Sequence, residues 1–167
     1  MTIHKETNAD ITGIRSVEQA AFGRSTEARL VDALREKGKL VISLVAEEGG
    51  KVVGHIAFSA ISTEPAAEEW RILGLAPLAV APDKQKQGIG SALVKDGLEL
   101  AGRLGYTHAV LLGGAYYHRF GFVPAQRYGI RSAYDAGDHF MIVALTGTAM
   151  PVNVMMKYAP EFAEAAC

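Results

Sequence analysis

Cysteine is nearly missing from this 167-residue chain: Cys167, the last residue, is the only one. A single thiol excludes an intramolecular disulfide and any multi-cysteine zinc site, so no metal is expected. At the chain end it reads as a frayed tail residue. Scarce cysteine agrees with a reducing compartment, and a cytoplasmic location is expected. An excess of one charge is missing too, since 17 Lys and Arg face 18 Asp and Glu. A protein that binds a polyanion carries a strong basic excess, so nucleic acid is not an expected partner. No run approaches the roughly 18 apolar residues of a membrane span. Residues Met1 to Glu6 lack the apolar core of a signal sequence, and no membrane association is expected. There is no internal repeat, linker or low-complexity stretch. What is present is an ordinary globular composition, 49% hydrophobic and 21% charged. A length of 167 residues suits one domain, 1–167, with a full core.

Periodicity divides the chain into alternating elements. Residues 2–5 read as a short strand. Asn8 or Asp10 caps a helix in which Ile11, Ile14, Val17 and Ala21 recur at helical spacing, and Phe22-Gly23-Arg24 breaks it. Ser25 or Thr26 opens a second helix with Leu30, Val31 and Leu34 inward, ended by Gly38. Val41 to Glu47 and Val52 to Ser62 read as a hairpin around Glu48-Gly49-Gly50-Lys51. A polar loop covers 63–70. Leu73 to Val80 is an apolar strand containing Pro77, which predicts a bulge or an exposed edge there. A helix from near Ser91 places Leu93, Gly97, Leu100 and Leu104 on one face, with Gly105 as its C-cap. His108 to Leu112 is a buried strand. Residues 116–120 form a short helix, and Phe140 to Leu145 and Asn153 to Tyr158 are late strands. The order βααβββαβαββ predicts an α/β fold: a mixed, mostly antiparallel central sheet flanked by helices.

The segment Gln85-Lys86-Gln87-Gly88-Ile89-Gly90 stands between the strand ending at Val80 and the following helix. A strand, a glycine-bearing turn and a helix N-terminus make an anion cradle, because backbone N–H groups there lack internal partners and the helix dipole adds positive charge. Gly88 and Gly90 let a phosphate approach the backbone closely. A dinucleotide fingerprint would need a third glycine where Leu93 stands, and it would open the fold rather than sit after a hairpin. A P-loop spacing is absent. As a bare pattern the turn is also compatible with a simple loop-to-helix connection.

Downstream lies Tyr116-Tyr117-His118-Arg119-Phe120-Gly121-Phe122. Together with Leu78-Ala79-Val80 and the glycine turn, this segment resembles the GCN5-related N-acetyltransferase (GNAT) family over roughly residues 52–124. The chain is most similar to uncharacterised bacterial acetyltransferases with a Tyr-Tyr-x-Arg-Phe-Gly-Phe segment. Joint occurrence of the three elements in order is far more specific than any one of them.

The resemblance implies a GNAT-like fold with a splayed central strand pair, and acetyl-CoA as cosubstrate. Its pyrophosphate would rest on backbone N–H groups of Lys86, Gln87, Gly88, Ile89, Gly90 and Ser91. Gln85 either braces the loop or only shapes the turn, and Lys86 either adds charge or is a solvated surface lysine. The pantetheine arm would pair with the backbone of Leu78, Ala79 and Val80. Tyr117 is the candidate general acid for the thiolate leaving group; the alternative is a tyrosine that packs under the cofactor without chemistry. Tyr116, Phe120 and Phe122 are expected to be structural, and His118 solvated. The general base is open among Glu64, Glu68, Glu69, His55 and a bound water. With no cysteine near the motif, direct attack in a ternary complex is expected. The acceptor, an amine-bearing small molecule or peptide, is expected near Phe22-Gly23-Arg24 and the loop from Tyr128 to Asp138. Two further readings stand beside transfer to an amine: a catalytically weak acyl-CoA-binding regulator, and the dinucleotide oxidoreductase that the turn disfavours. Exposed C-terminal edge strands leave a monomer or a homodimer open.

Overall fold

The computed structural model describes residues 1–134 and 136–165. Cys167, expected to be a frayed tail residue, lies outside the described residues. Among the described residues are nine strands in one mixed sheet, with helices alongside. The chain groups into two compact units, and two strands (Lys51–Glu64 and Ile72–Val80) and one helix (Ile89–Arg103) pass from one into the other.

The first unit comprises 1–59, 76–97 and the stretch from Pro160. Strand β1 (Thr2–Lys5) pairs antiparallel with β2 (Leu40–Glu48), and β2 with β3 (Lys51–Glu64). The β2–β3 turn is the expected Gly49-Gly50 pair, both at positive φ, as a two-residue hairpin loop requires. Helices α1 (Ile11–Phe22) and α2 (Thr26–Glu36) bury one face each, and Ile14, Val31 and Val45 pack together beneath them. Strand β4 (Ile72–Val80) and the first half of α3 (Ile89–Arg103) follow, and a single-turn helix, α4 (Glu161–Glu164), ends the unit.

The second unit comprises 60–75 and 98–159. Strand β5 (His108–Leu112) lies antiparallel to β8 (Phe140–Ala144), which also pairs with β6 (Val123–Pro124). Strand β9 (Met155–Lys157) joins the end of β3 antiparallel and β7 (Arg131–Ser132) parallel. Ile61, Ile72, Val110, Phe140, Ile142 and Met156 form this unit's core. The β4–β5 ladder is parallel and spans three pairs only, Ile72↔His108 to Gly74↔Val110. This short ladder is the splayed central pair.

Several elements differ from expectation. Strand β4 runs unbroken through Pro77, which is buried rather than at an exposed edge. Pro77 lies three residues past the end of the β4–β5 ladder, so its missing N–H removes no bond there. Helix α3 starts at Ile89, two residues before Ser91, and ends at Arg103. Leu104 therefore falls outside it and is 45% exposed, while Leu93, Val94 and Ala101 are buried. Strand β3 continues to Glu64, which shortens the polar loop that follows.

Candidate functional site

In the first unit, the end of β4 leads into a tight descending turn. Ala81 N–H donates to Val53 O at 2.9 Å, and Lys84 N–H to Ala81 O at 2.8 Å. The side-chain amide of Gln85 then reaches back and donates to Val80 O at 3.1 Å. This bond ties the turn to the strand end. Gln87 Nε2 adds a second stitch to Asp83 O at 3.3 Å. Lys84 turns away to Glu48, 2.9 Å from its carboxylate.

The backbone between these stitches alternates in hand. Lys86 has φ 63° and Gly88 φ 88°. Residues in this left-handed region, flanked by ordinary ones, turn successive N–H groups toward one concave side, which is an anion-binding nest. Glycine takes this conformation freely at 88, whereas at Lys86 it is sterically costly. Ala92 N–H donates to Gly88 O at 3.0 Å, so Gly88 is the N-cap. The N–H groups of Ile89 and Gly90 precede the first intrahelical bond of a 15-residue helix. Gln85 to Gly88 are exposed, while the Ile89 side chain is buried. The concave side of the turn is thus lined by backbone, with the Gln85 and Gln87 amides bonded to Val80 O and Asp83 O. On β4, Ala79 is buried and Leu78 and Val80 are half-buried, ordinary packing for their side chains.

In the second unit, β5 ends at Leu112 and Gly113 begins the tyrosine segment. His139 clamps Gly113 on both sides: Gly113 N–H donates to His139 O at 2.7 Å, and the His139 ring donates from Nδ1 to Gly113 O at 3.0 Å. A 3-10 turn follows, Ala115–Phe120, in which residues three apart eclipse. Tyr117 accordingly lies over Phe120, with ring centres 6.3 Å apart, and meets Phe122 edge-on at 6.1 Å. Tyr116 pairs with Arg119, whose guanidinium sits 4.1 Å from the ring centre. A Cβ on Gly113 would fall 2.5 Å from Tyr117 Cε2, so glycine there is what lets the ring lie against the backbone. Tyr117 is half-buried. Burial, with a smaller contribution from Tyr116, pushes its hydroxyl above the ordinary tyrosine range. It is a protonated donor throughout neutral pH. His118 is exposed, but its ring is engaged and donates from Nδ1 to Phe122 O at 3.0 Å.

Several of the remaining candidates have structural partners, while Glu68 and Glu69 are exposed in the loop after β3. Glu64 is exposed and paired with Lys157 at 2.6 Å. His55 is fully buried between Glu18 and Ser43. Phe22 is exposed, and Arg24 holds Glu27 through two bonds, at 3.0 and 2.5 Å. In the late loop, a cavity of about 340 Å³ is lined by Gln126, Arg131, Tyr134 and Met155 among others; Asp135, between Tyr134 and Ala136, lies outside the described residues. The donor atoms of His4, Asp10 and Glu47 lie within 4.8 Å of one another. Asp10 is already engaged there, accepting from the Thr7 N–H and hydroxyl at 2.8 and 3.0 Å and from His4 Nε2.

Reading the sequence missed Gly113 and His139, which seat Tyr117. Neither carries a periodic signal. It also missed Glu18, although that residue falls between Val17 and Ala21 on the apolar stripe of α1. A charge inside such a stripe is a legible sign of a buried partner.

Comparison with known proteins converges on one group. The family model for an acetyltransferase (GNAT) domain matches residues 39–124, just over half of the chain. The uncharacterised N-acetyltransferase YhbS of Escherichia coli is 38% identical over 166 residues, covering 97% of this chain and 98% of that protein. The crystal structure of E. coli YhbS in complex with CoA has a TM-score of 0.87 at 32% identity, covering 97% of this chain and 91% of that one. A GNAT family acetyltransferase from Brucella melitensis in complex with acetyl-CoA has a TM-score of 0.80 at 38% identity, covering 96% and 97%.

Proposed function

We propose the following reaction for this chain, which belongs to the GNAT family of N-acetyltransferases: an acetyl group moves from acetyl-CoA to a primary amine of a small molecule or peptide, by direct attack in a ternary complex. The observation that carries this reading is the backbone nest at Lys86–Gly88 leading into a 15-residue helix. That nest is chemistry for a pyrophosphate, and the two similar structures hold CoA or acetyl-CoA. In this reading one N-acetyltransferase domain spans 1–167, as the near-complete coverage of the relatives supports.

Backbone N–H groups from Lys86 through Ser91 receive the pyrophosphate, and Gln85 keeps the turn in place. The backbone of Leu78, Ala79 and Val80 pairs with the pantetheine arm. The Val80 carbonyl is already taken by Gln85, so the arm relies on other backbone groups of β4. The amine attacks the thioester carbonyl, forming the C–N bond and a tetrahedral intermediate. The C–S bond then breaks, CoA leaves as the thiolate, and the amine proton goes to water.

Tyr117 donates a hydrogen bond to the developing thiolate. A thiol has a pKa of about 8.5 and tyrosine about 10. Burial raises Tyr117 further, which makes full proton transfer to sulfur uphill. Its contribution is therefore electrostatic stabilisation of the leaving group rather than complete protonation. Strand β4 holds no acidic residue, and most of the rate enhancement would come from proximity and orientation. A cytoplasmic enzyme, monomeric or homodimeric, fits this reading. Among the described residues no helix is long and apolar enough to cross a membrane.

The test is CoA release from acetyl-CoA across a panel of amines and peptides, with Tyr117→Phe as control. Turnover on an acceptor, reduced in the variant, is the expected result. Tight acetyl-CoA binding without turnover on any acceptor would instead favour an acyl-CoA-binding regulator.

A further inference from the structure

The first unit contains a chain of buried and half-buried polar side chains to which the proposed transfer reaction gives no role. Glu18 on α1 and His55 on β3 are both fully buried and meet at 2.9 Å, Oε2 to Nδ1. The other ring nitrogen, Nε2, is 2.8 Å from Ser43 Oγ on β2. Ser43 Oγ in turn donates to Glu6 Oε1 at 2.6 Å. Glu6 is held by Arg35 of α2, with Nε at 2.6 Å and Nη2 at 3.0 Å.

Hydrogen-bond directions along this chain fix the protons. Burial raises the Glu6 carboxyl, but bonds from Arg35 and Ser43 outweigh it and hold the group below its usual range. Glu6 is therefore an ionised acceptor, and the Ser43 proton points at it. Ser43 Oγ can then only accept from His55, so His55 carries its proton on Nε2. One further proton is needed to join Nδ1 and Glu18 Oε2, and it sits on one side or the other. Without it, two lone pairs would face each other at 2.9 Å.

Which side holds it follows from the other oxygen. Glu18 Oε1 is buried and has no partner among the described residues. A carboxylate would leave charge on that atom with nothing to neutralise it. A carboxylic acid leaves a carbonyl oxygen, a much smaller penalty. The charged groups facing the pair from neighbouring elements point the same way. From α2 the Glu27 carboxylate, held ionised mainly by its bonds from Arg24, repels a second anion. Glu6 on the far side of Ser43 is neutralised by Arg35, which also binds Asp32 at 2.8 Å. Burial is the largest influence on Glu18 and lifts it above the usual carboxylate range despite the His55 bond.

We infer that Glu18 is a carboxylic acid donating its proton to Nδ1 of a neutral, Nε2-protonated His55, and that this uncharged pair is a pH-limited clamp holding α1 on strands β2 and β3. The clamp is independent of the transfer reaction. The folded chain keeps a proton on Glu18 that the unfolded chain releases above the usual carboxylate range. The contribution of the Glu18 proton to stability is therefore complete below the usual carboxylate range and is lost as pH rises through the folded value.

The experiment pairs a variant with a measurement on the unaltered chain. Glu18→Gln presents an N–H to Nδ1 and a carbonyl at the Oε1 position, copying the protonated acid. Its Tm at pH 7 should stay within about 3 °C of wild type, the scale of 1 kcal/mol for a chain of this length. As pH rises above the usual carboxylate range, its Tm should fall less steeply than that of wild type. In the wild-type chain, the 15N NMR shift of His55 Nδ1 should be that of an unprotonated nitrogen and Nε2 that of a protonated one. A Tm loss of about 10 °C or more in Glu18→Gln, as expected for one broken partner of a buried ion pair, with both His55 nitrogens protonated, would overturn the inference. If the variant misfolds, the wild-type nitrogen shifts decide alone.

Discussion

The side-chain amide of Gln85 donates to the carbonyl of Val80 at 3.1 Å, tying the glycine turn back to the last residue of β4. The bond makes the turn and the strand end one piece. An anion nest gains affinity from being preformed, because no ordering remains to be done when the ligand arrives. Gln85→Ala removes one neutral, exposed hydrogen bond, worth about 0.5–1.5 kcal/mol. The expected result is a rise of about 2- to 10-fold in the KM for acetyl-CoA with kcat little changed, the pattern of a lost binding contribution. Initial-rate kinetics on variant and wild type check it. An unchanged KM would remove Gln85 from the donor site.

Gly90 is the second position of α3, next to the nest. In the proposed donor site, a side chain there would stand where the pyrophosphate needs the backbone. Gly90→Val should leave the fold intact and raise the acetyl-CoA Kd by at least about 10-fold, the equivalent of 1.4 kcal/mol. Calorimetric titration with CoA, beside a circular dichroism spectrum, tests this. A folded variant with wild-type CoA affinity would refute the cradle.

In the proposed reaction Tyr117 acts in its protonated form, and burial raises its pKa above the ordinary value of 10.0. Loss of the donor should therefore begin only above pH 10. The wild-type advantage in kcat over Tyr117→Phe, about 100-fold for a positioned hydrogen-bond donor, should stay constant from pH 7 to 9.5. Over the same range both rates rise as the acceptor amine loses its proton. A ratio that collapses toward one below pH 10 would show that Tyr117 titrates early, and a ratio near one throughout would leave it a packing residue.

Most of this architecture was legible in the sequence because local periodicity and packing agree. Leu30, Val31 and Leu34 recur at helical spacing and are all buried, and Gly49-Gly50 demands a hairpin. The exceptions have physical causes. Strands β6 and β7 are two residues long, too short for any alternation to appear. Leu104 continues the period of α3, but the chain reverses at Gly105, φ 90°, and leaves it outside. The glycine turn was legible because its chemistry is local and made of backbone. The seating of Tyr117 was not, because His139 reaches Gly113 from 26 residues away. Glu18 was legible as a charge in the apolar stripe of α1, but its partners were not, since Ser43 and His55 come from two other elements.

His108 gives the stability of the fold an acid dependence of its own. The ring is fully buried on β5, with Nδ1 2.8 Å from Thr107 Oγ1. Backbone groups of Thr148 and Ala149 approach it, but Nε2 makes no bond of ordinary geometry among the described residues. Burial outweighs these neighbours and lowers the pKa below 6.5. The folded chain thus resists a proton that the unfolded chain accepts. Stability from this group is complete above pH 6.5 and declines as pH falls below it, by at most about 1.4 kcal/mol per pH unit. Glu18 works in the opposite sense, since its raised pKa favours the folded state as pH falls. His108→Gln removes one side of that balance. Between pH 6.5 and 5 the variant should lose less Tm than wild type, by about 3–5 °C over one unit for a chain of this size. Parallel slopes for the two proteins in a pH-resolved thermal melt would show that His108 is already protonated in the fold.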